Sequence, residues 1–96
     1  MNLSQIAQKG EKANSLLSNE IFSEAMLNLR QAITMKWQEC PIRDIQAQHE
    51  LKLMIKLLTD LEANIKRFVQ DGKMAQFEIE EQRKRDEMRG KVARFM

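Results

Sequence analysis

Few residues in this chain have types that could do chemistry. Histidine occurs once, His49, and cysteine once, Cys40. A cysteine nucleophile needs a base within hydrogen-bond reach. His49 lies about two turns into the helix that follows Cys40, so the two would meet only if the chain bent back. The simpler reading makes Cys40 a small apolar plug beneath a loop and His49 a solvated side chain. One histidine and one cysteine make no metal-ligand set. Gly10, Gly72 and Gly90 stand alone, so no phosphate-cradling loop or dinucleotide fingerprint is present. Glu78, Glu80 and Glu81 cluster within a run rich in lysine and arginine, where they read as the acidic half of helical charge pairs. The expectation is a protein that is not an enzyme and carries no cofactor or metal.

One cluster has a chemistry of its own. Residues 1–81 hold 10 basic and 12 acidic side chains, whereas residues 82–96 hold 6 basic and 2 acidic. Arg83, Lys84, Arg85, Arg89, Lys91 and Arg94 therefore give a basic end, and Arg85 and Arg89, with Lys84 and Lys91, share a flank of a helix that could track phosphates. Asp86 and Glu87 dilute it, and Phe95 is the only aromatic residue nearby. A solvated charged helix is the plainer reading.

These residues must be positioned by helices. The 96-residue chain has 3 Gly, 1 Pro and no Tyr, too few turn-formers for a many-stranded β fold. With 43% hydrophobic and 31% charged residues it holds a thin core at best, and chains of this size leave a single helical layer uncovered. Partner chains are expected. The lone cysteine excludes an intrachain disulfide and suits a reducing compartment. Residues 1–11 have no signal-peptide pattern, and no run approaches the ~20 apolar residues of a membrane span.

Four segments follow. Residues 4–17 make a weak helix with Gly10 in its middle, a defect of about 1 kcal/mol against alanine, so this arm is expected to be loose or to order only on a neighbour. Ser18-Asn19-Glu20 supplies cap chemistry for a second helix over 20–39, whose apolar stripe runs through Phe22, Ala25, Met26, Leu29, Ile33 and Trp37 before Pro41 ends it. Asp44 caps a third helix, 44–71. Its heptad seam has Leu51, Leu58 and Ile65 at a and Ala47, Met54, Leu61 and Phe68 at d, flanked by Ile55, Leu57 and Val69. A stripe this wide suits a bundle of three or four helices. Asp71-Gly72-Lys73 reads as the stop, with Gly72 in a left-handed cap. Residues 74–96 then begin apolar (Met74, Ala75, Phe77), turn charged, with i,i+4 pairs Glu80–Lys84, Glu81–Arg85 and Glu87–Lys91, and end apolar at Phe95 and Met96.

The fold expected is all-α: an antiparallel helical hairpin over 19–73, a loose N-terminal arm over 1–18 and a charged helical tail over 74–96, completed by oligomerisation. Trp37, Leu51, Met54, Leu58, Leu61, Ile65 and Phe68 are the expected core and oligomer interface. Met74, Phe77, Phe95 and Met96 are the expected partner contacts.

The order Ala13-x-x-Leu16-Leu17-x-Asn19-x-x-Phe22-x-x-Ala25, then Leu29, Trp37, Asp44, Leu51, Leu57-Leu58 and Gly72-Lys73-x-Ala75 resembles a group of small helical proteins of tailed bacteriophages and prophages, often encoded among head and packaging genes. The resemblance covers roughly residues 13–77. Glu20 stands where that group often has proline, and Gln48-His49 where it tends to show Arg-Glu; these differences bear on how the arm joins the helix and on a surface contact. The resemblance implies a phage protein that works by contact, in the virion or the host cytoplasm: a virion-structural or assembly component with phage structural proteins as partners. The alternatives are a nucleic-acid-binding packaging or regulatory protein using the basic end, or a small inhibitor of a host protein.

Overall fold

The computed structural model describes residues 1–95, with side chains through Lys91. Three helices account for nearly all of it: α1 Leu3–Ser18, α2 Glu20–Glu39 and α3 Ile45–Phe95, with no strand among the described residues. The all-helical expectation holds.

Each helix start is written in a short polar side chain. Asn2 caps α1: its side chain accepts the Gln5 N–H at 2.8 Å, and the Gln5 side chain accepts the Asn2 N–H at 3.1 Å. Two otherwise orphaned donors are satisfied reciprocally. Asn19, the single residue between α1 and α2, accepts the Phe22 N–H at 2.9 Å. Its extended backbone (φ −71°, ψ 123°) breaks the helical path, and the Ser23 hydroxyl donates to the Leu17 carbonyl across the break at 3.2 Å. Cys40 is extended (φ −69°, ψ 128°), as a residue before proline must be. Asp44 then accepts the Ala47 N–H at 3.0 Å. Gln48 donates to the carbonyls of Pro41 and Ile42, at 3.1 Å each, and ties the turn to α3.

Both α1 and α2 run back along α3. Gly10 lies against Gly72, Gln76 donates to Glu11 at 3.1 Å, and Arg30 reaches Thr59 and Glu62. At 1.5 Å per residue the 51 residues of α3 span about 76 Å, which sets the longest dimension of the molecule, 80 × 25 × 17 Å.

Two expectations are corrected. Gly72 does not end a helix: no glycine has positive φ, and α3 runs straight through it into the charged tail. Nor is the N-terminal arm loose. It is a capped helix that approaches α3 more closely than α2 does. One arrangement explains both. A Cβ on Gly10 would lie 2.7 Å from the Gly72 Cα and 2.9 Å from the Phe68 carbonyl oxygen, so each glycine is the vacancy the other backbone occupies. Ala7, Ala13 and Ala75, all buried, extend this close crossing, and the propensity lost at Gly10 is offset by packing. α3 is the neighbour on which the arm orders.

The interior is thin. Ala7, Ala13, Met26, Leu58, Ile65 and Ala75 are its buried apolar residues, and no side chain is fully enclosed. The radius of gyration is 22.1 Å, against about 12–13 Å for a compact domain of this length.

Candidate interaction surfaces

The third helix divides the expected heptad seam along its length. The a positions Leu58 and Ile65 are buried and Leu51 is half-buried. With them on the covered side lie the e positions Ile55, Glu62 and Val69, each half-buried. At d, Ala47 and Phe68 are half-buried, but Met54 and Leu61 are each 48% exposed, and Leu57 at g is 69% exposed. The expected interface set is thus split: Leu51, Leu58, Ile65 and Phe68 pack within the chain, whereas Met54 and Leu61 face outward. A single neighbouring helix covers only one edge of so wide a stripe.

The covered edge is held by one polar contact in particular. Arg30 Nη2 donates to Glu62 Oε1 at 2.9 Å, with the two side chains 34% and 29% exposed. Further along, the Lys9 ammonium sits 4.4 Å above the Phe68 ring, a cation–π contact that closes the α1–α3 crossing on one side.

Trp37 is exposed at the turn end of α2. Together with Thr34, Ile45, His49, Lys52 and Ile55 it lines an open groove of about 600 Å³. It is a rim residue and not a core anchor. Nearby, Ile42 and Ile45 are also exposed; they escaped notice in the sequence because they fall in a turn and at a helix start, outside any periodic stripe. Cys40 is half-buried under the same turn, its Sγ 3.7 Å from the Pro41 carbonyl oxygen and 4.0 Å from that of Asp44.

Met74 and Phe77 are exposed, and Met88 joins them at helical spacing on one side of α3. The side chains of Phe95 and Met96, expected to contact a partner, and that of Arg94, expected to contact nucleic acid, lie outside the described residues.

On the charged stretch the ion pairs differ from the expected ones. Arg83, rather than Lys84 or Arg85, is the hub: it bonds Glu80 at 3.1 Å and Glu87 at 2.6 Å. Its hydrogen bond to Glu80, reinforced by the charges of Glu80 and Glu87, raises the guanidinium pKa above its ordinary value. Lys84 stands 4.0 Å from Glu81. Spacing fixes which residues share a face, but two partners at i−3 and i+4 compete better for a forked guanidinium than one partner does for an ammonium. Among the described residues Arg85 and Arg89 pair with no carboxylate.

Among the described residues no group of three or more His, Cys, Asp or Glu is placed to hold a metal ion, and no helix is long and apolar enough to cross a membrane. No family model, curated protein or solved structure matches this chain.

Proposed function

We propose that this chain is a non-enzymatic helical interaction protein of a bacteriophage, a virion-structural or assembly component that self-associates and docks on phage structural proteins. One observation carries the contact-based part of the reading, namely the surface the chain leaves uncovered. A compact monomer of 11.3 kDa exposes about 5,700 Å², whereas this chain exposes 8285 Å². The exposed surface includes large apolar side chains at helical spacing, Met54, Leu57 and Leu61 on one stretch of α3 and Met74, Phe77 and Met88 on the next. Exposed apolar surface on this scale marks sites of protein contact. The phage setting rests on the resemblance of residues 13–77, and the localisation it implies is the virion or the host cytoplasm.

The test is quantitative mass spectrometry of purified particles and assembly intermediates from the phage or induced prophage that encodes the chain. A fixed copy number per particle or intermediate is expected, lost on Met74→Lys with Phe77→Lys while the variant stays helical. Absence of the chain from both kinds of particle overturns the reading.

Arg85 and Arg89, without a carboxylate partner among the described residues and on a helix that continues past the start of α1, favour nucleic-acid binding as the second reading. It predicts salt-sensitive binding to a DNA duplex that Arg85→Glu with Arg89→Glu abolishes.

A further inference from the structure

We infer that the flank of α3 carrying Leu53, Met54, Leu57 and Leu61 is the seat of a second copy of this chain, docked antiparallel about a two-fold axis near residues 57–58. This deepens the reading of the chain as a self-associating protein and rests on it.

The four residues recur at steps of one, three and four, and so share one face of the helix. All four are exposed. Within the chain α2 covers the other edge, where Leu58 is buried and Arg30 reaches Thr59 and Glu62. Among the described residues no other element lies against this stretch, because α1 packs further along, around Gly72.

The chain as a whole leaves more surface uncovered than a compact monomer does. The chain exposes 8285 Å², about 2,500 Å² more than a compact monomer of its mass. Interfaces of obligate dimers bury about 2,000–5,000 Å² in total, hence about 1,000–2,500 Å² from each copy. The charged end of α3 contributes to that excess, and the uncovered apolar flank around Leu57 is the part that a dimer contact would bury.

Self-complementarity selects a copy of the same chain as the occupant. With two α3 helices antiparallel and crossing near residues 57–58, Leu57 meets Leu57 and Met54 meets Leu61. Side chains on one flank of the contact then face the same flank of the other helix. Lys56 and Asp60 share such a flank, and the antiparallel register sets each Lys56 beside the other copy's Asp60, giving two equivalent opposite-charge pairs. A parallel two-fold pairing would turn this flank toward the opposite flank of the other helix, and the Lys56–Asp60 pairing would be lost. The assembled unit is a four-helix arrangement of two α2–α3 pairs, which encloses the outward half of the seam as the bundle geometry requires.

The test is light scattering on the full chain at micromolar concentrations, beside circular dichroism. The expected mass is twice 11.3 kDa. Leu57→Lys with Leu61→Lys is expected to halve it while the helical signal is retained, and Met88→Lys to leave it unchanged. A second measurement covers a double variant that fails to fold: Leu57→Cys in a Cys40→Ser background is expected to cross-link to itself on oxidation, and Gln8→Cys in the same background is not. A wild-type monomer, a lysine variant that stays dimeric, or no cross-link at position 57 overturns the inference. A monomer that is nevertheless incorporated into phage particles refutes this dimer and the self-association, and leaves the virion or assembly role standing. A dimer absent from particles does the reverse.

Discussion

Replacing Gly10 by alanine should destabilise this chain, although alanine is the better helix former. The Cβ would meet the Gly72 Cα at 2.7 Å, the Phe68 carbonyl oxygen at 2.9 Å and the Gly72 amide nitrogen at 3.3 Å. Carbon atoms in comfortable contact stand about 3.5–4.0 Å apart, so α1 must move away from α3 by roughly 1 Å at the crossing. All three obstructing atoms are backbone, and none can swing aside as a side chain would. Overpacking typically costs about 1–3 kcal/mol, and a rigid obstruction belongs at the upper end. Helix propensity returns about 1 kcal/mol, leaving a net loss of about 2 kcal/mol. For a chain of this length that lowers the melting midpoint by about 10 °C, as followed by circular dichroism. The loss should be centred on residues 3–18, whose amides should exchange faster, because a 16-residue helix is marginal in water without its docking partner. Gly90→Ala is the control: nothing lies within 4 Å of its added Cβ, so only the propensity gain remains and helical content should rise. If Gly10→Ala melts at or above the wild-type temperature, the close crossing is wrong and so is the account of why both glycines are there.

Gly72→Ala meets the same obstruction, with the Gly10 Cα at 2.7 Å and the Ile6 carbonyl oxygen at 3.3 Å. Once either variant has opened the crossing the second costs less, so the double variant should be less unstable than the sum of the singles in a denaturant cycle. Asp44→Ala removes the acceptor for the Ala47 N–H and should cost about 1 kcal/mol of stability in urea titration. Arg30→Met with Glu62→Gln tests the half-buried ion pair: a double-mutant cycle should return about 1 kcal/mol of coupling, and a coupling near zero would show that the contact only fills space. Arg83→Gln removes both bonds of the hub and should lower the helical signal and hydrogen-exchange protection of residues 78–91 while the melting midpoint of the rest is unchanged.

The local grammar of this chain is easy to read, whereas its long-range pairings are not. Asn19, Pro41 and Asp44 mark the ends of α2 and the start of α3 because capping and proline geometry depend on the nearest few residues, and there the expected bounds, 20–39, match the observed helix. Gly72 misleads for the converse reason. Within its own neighbourhood Asp-Gly-Lys is a stop, and only Gly10, 62 residues away, makes it a contact point. A signal was present in the spacing of small residues, with Ala7, Gly10 and Ala13 at steps of three and Gly72 and Ala75 at the same step. The heptad of α3 was legible as a stripe but not as two edges. Periodicity reports how wide the apolar face is, while the number of neighbouring helices decides which part of it meets water. That is why Leu58 at a and Met54 at d, both members of the seam, part company in the structure.

The unbroken course of α3 also gives the molecule a fixed gauge. From Ile45 beside the turn to Lys91 the helix measures about 70 Å at 1.5 Å per residue, with no proline and no positive-φ residue to bend it. Any two partners held at the turn and at the far end would be kept apart by a strut whose length is written directly in residue number. Removing seven residues between Glu80 and Arg89 would bring the two ends about 10 Å closer and turn the far face by only about 20°. Removing two would shorten the strut by about 3 Å yet point that face almost the opposite way. Partners at the two ends would therefore tolerate a change of length by whole heptads far better than a small deletion that spoils the phase.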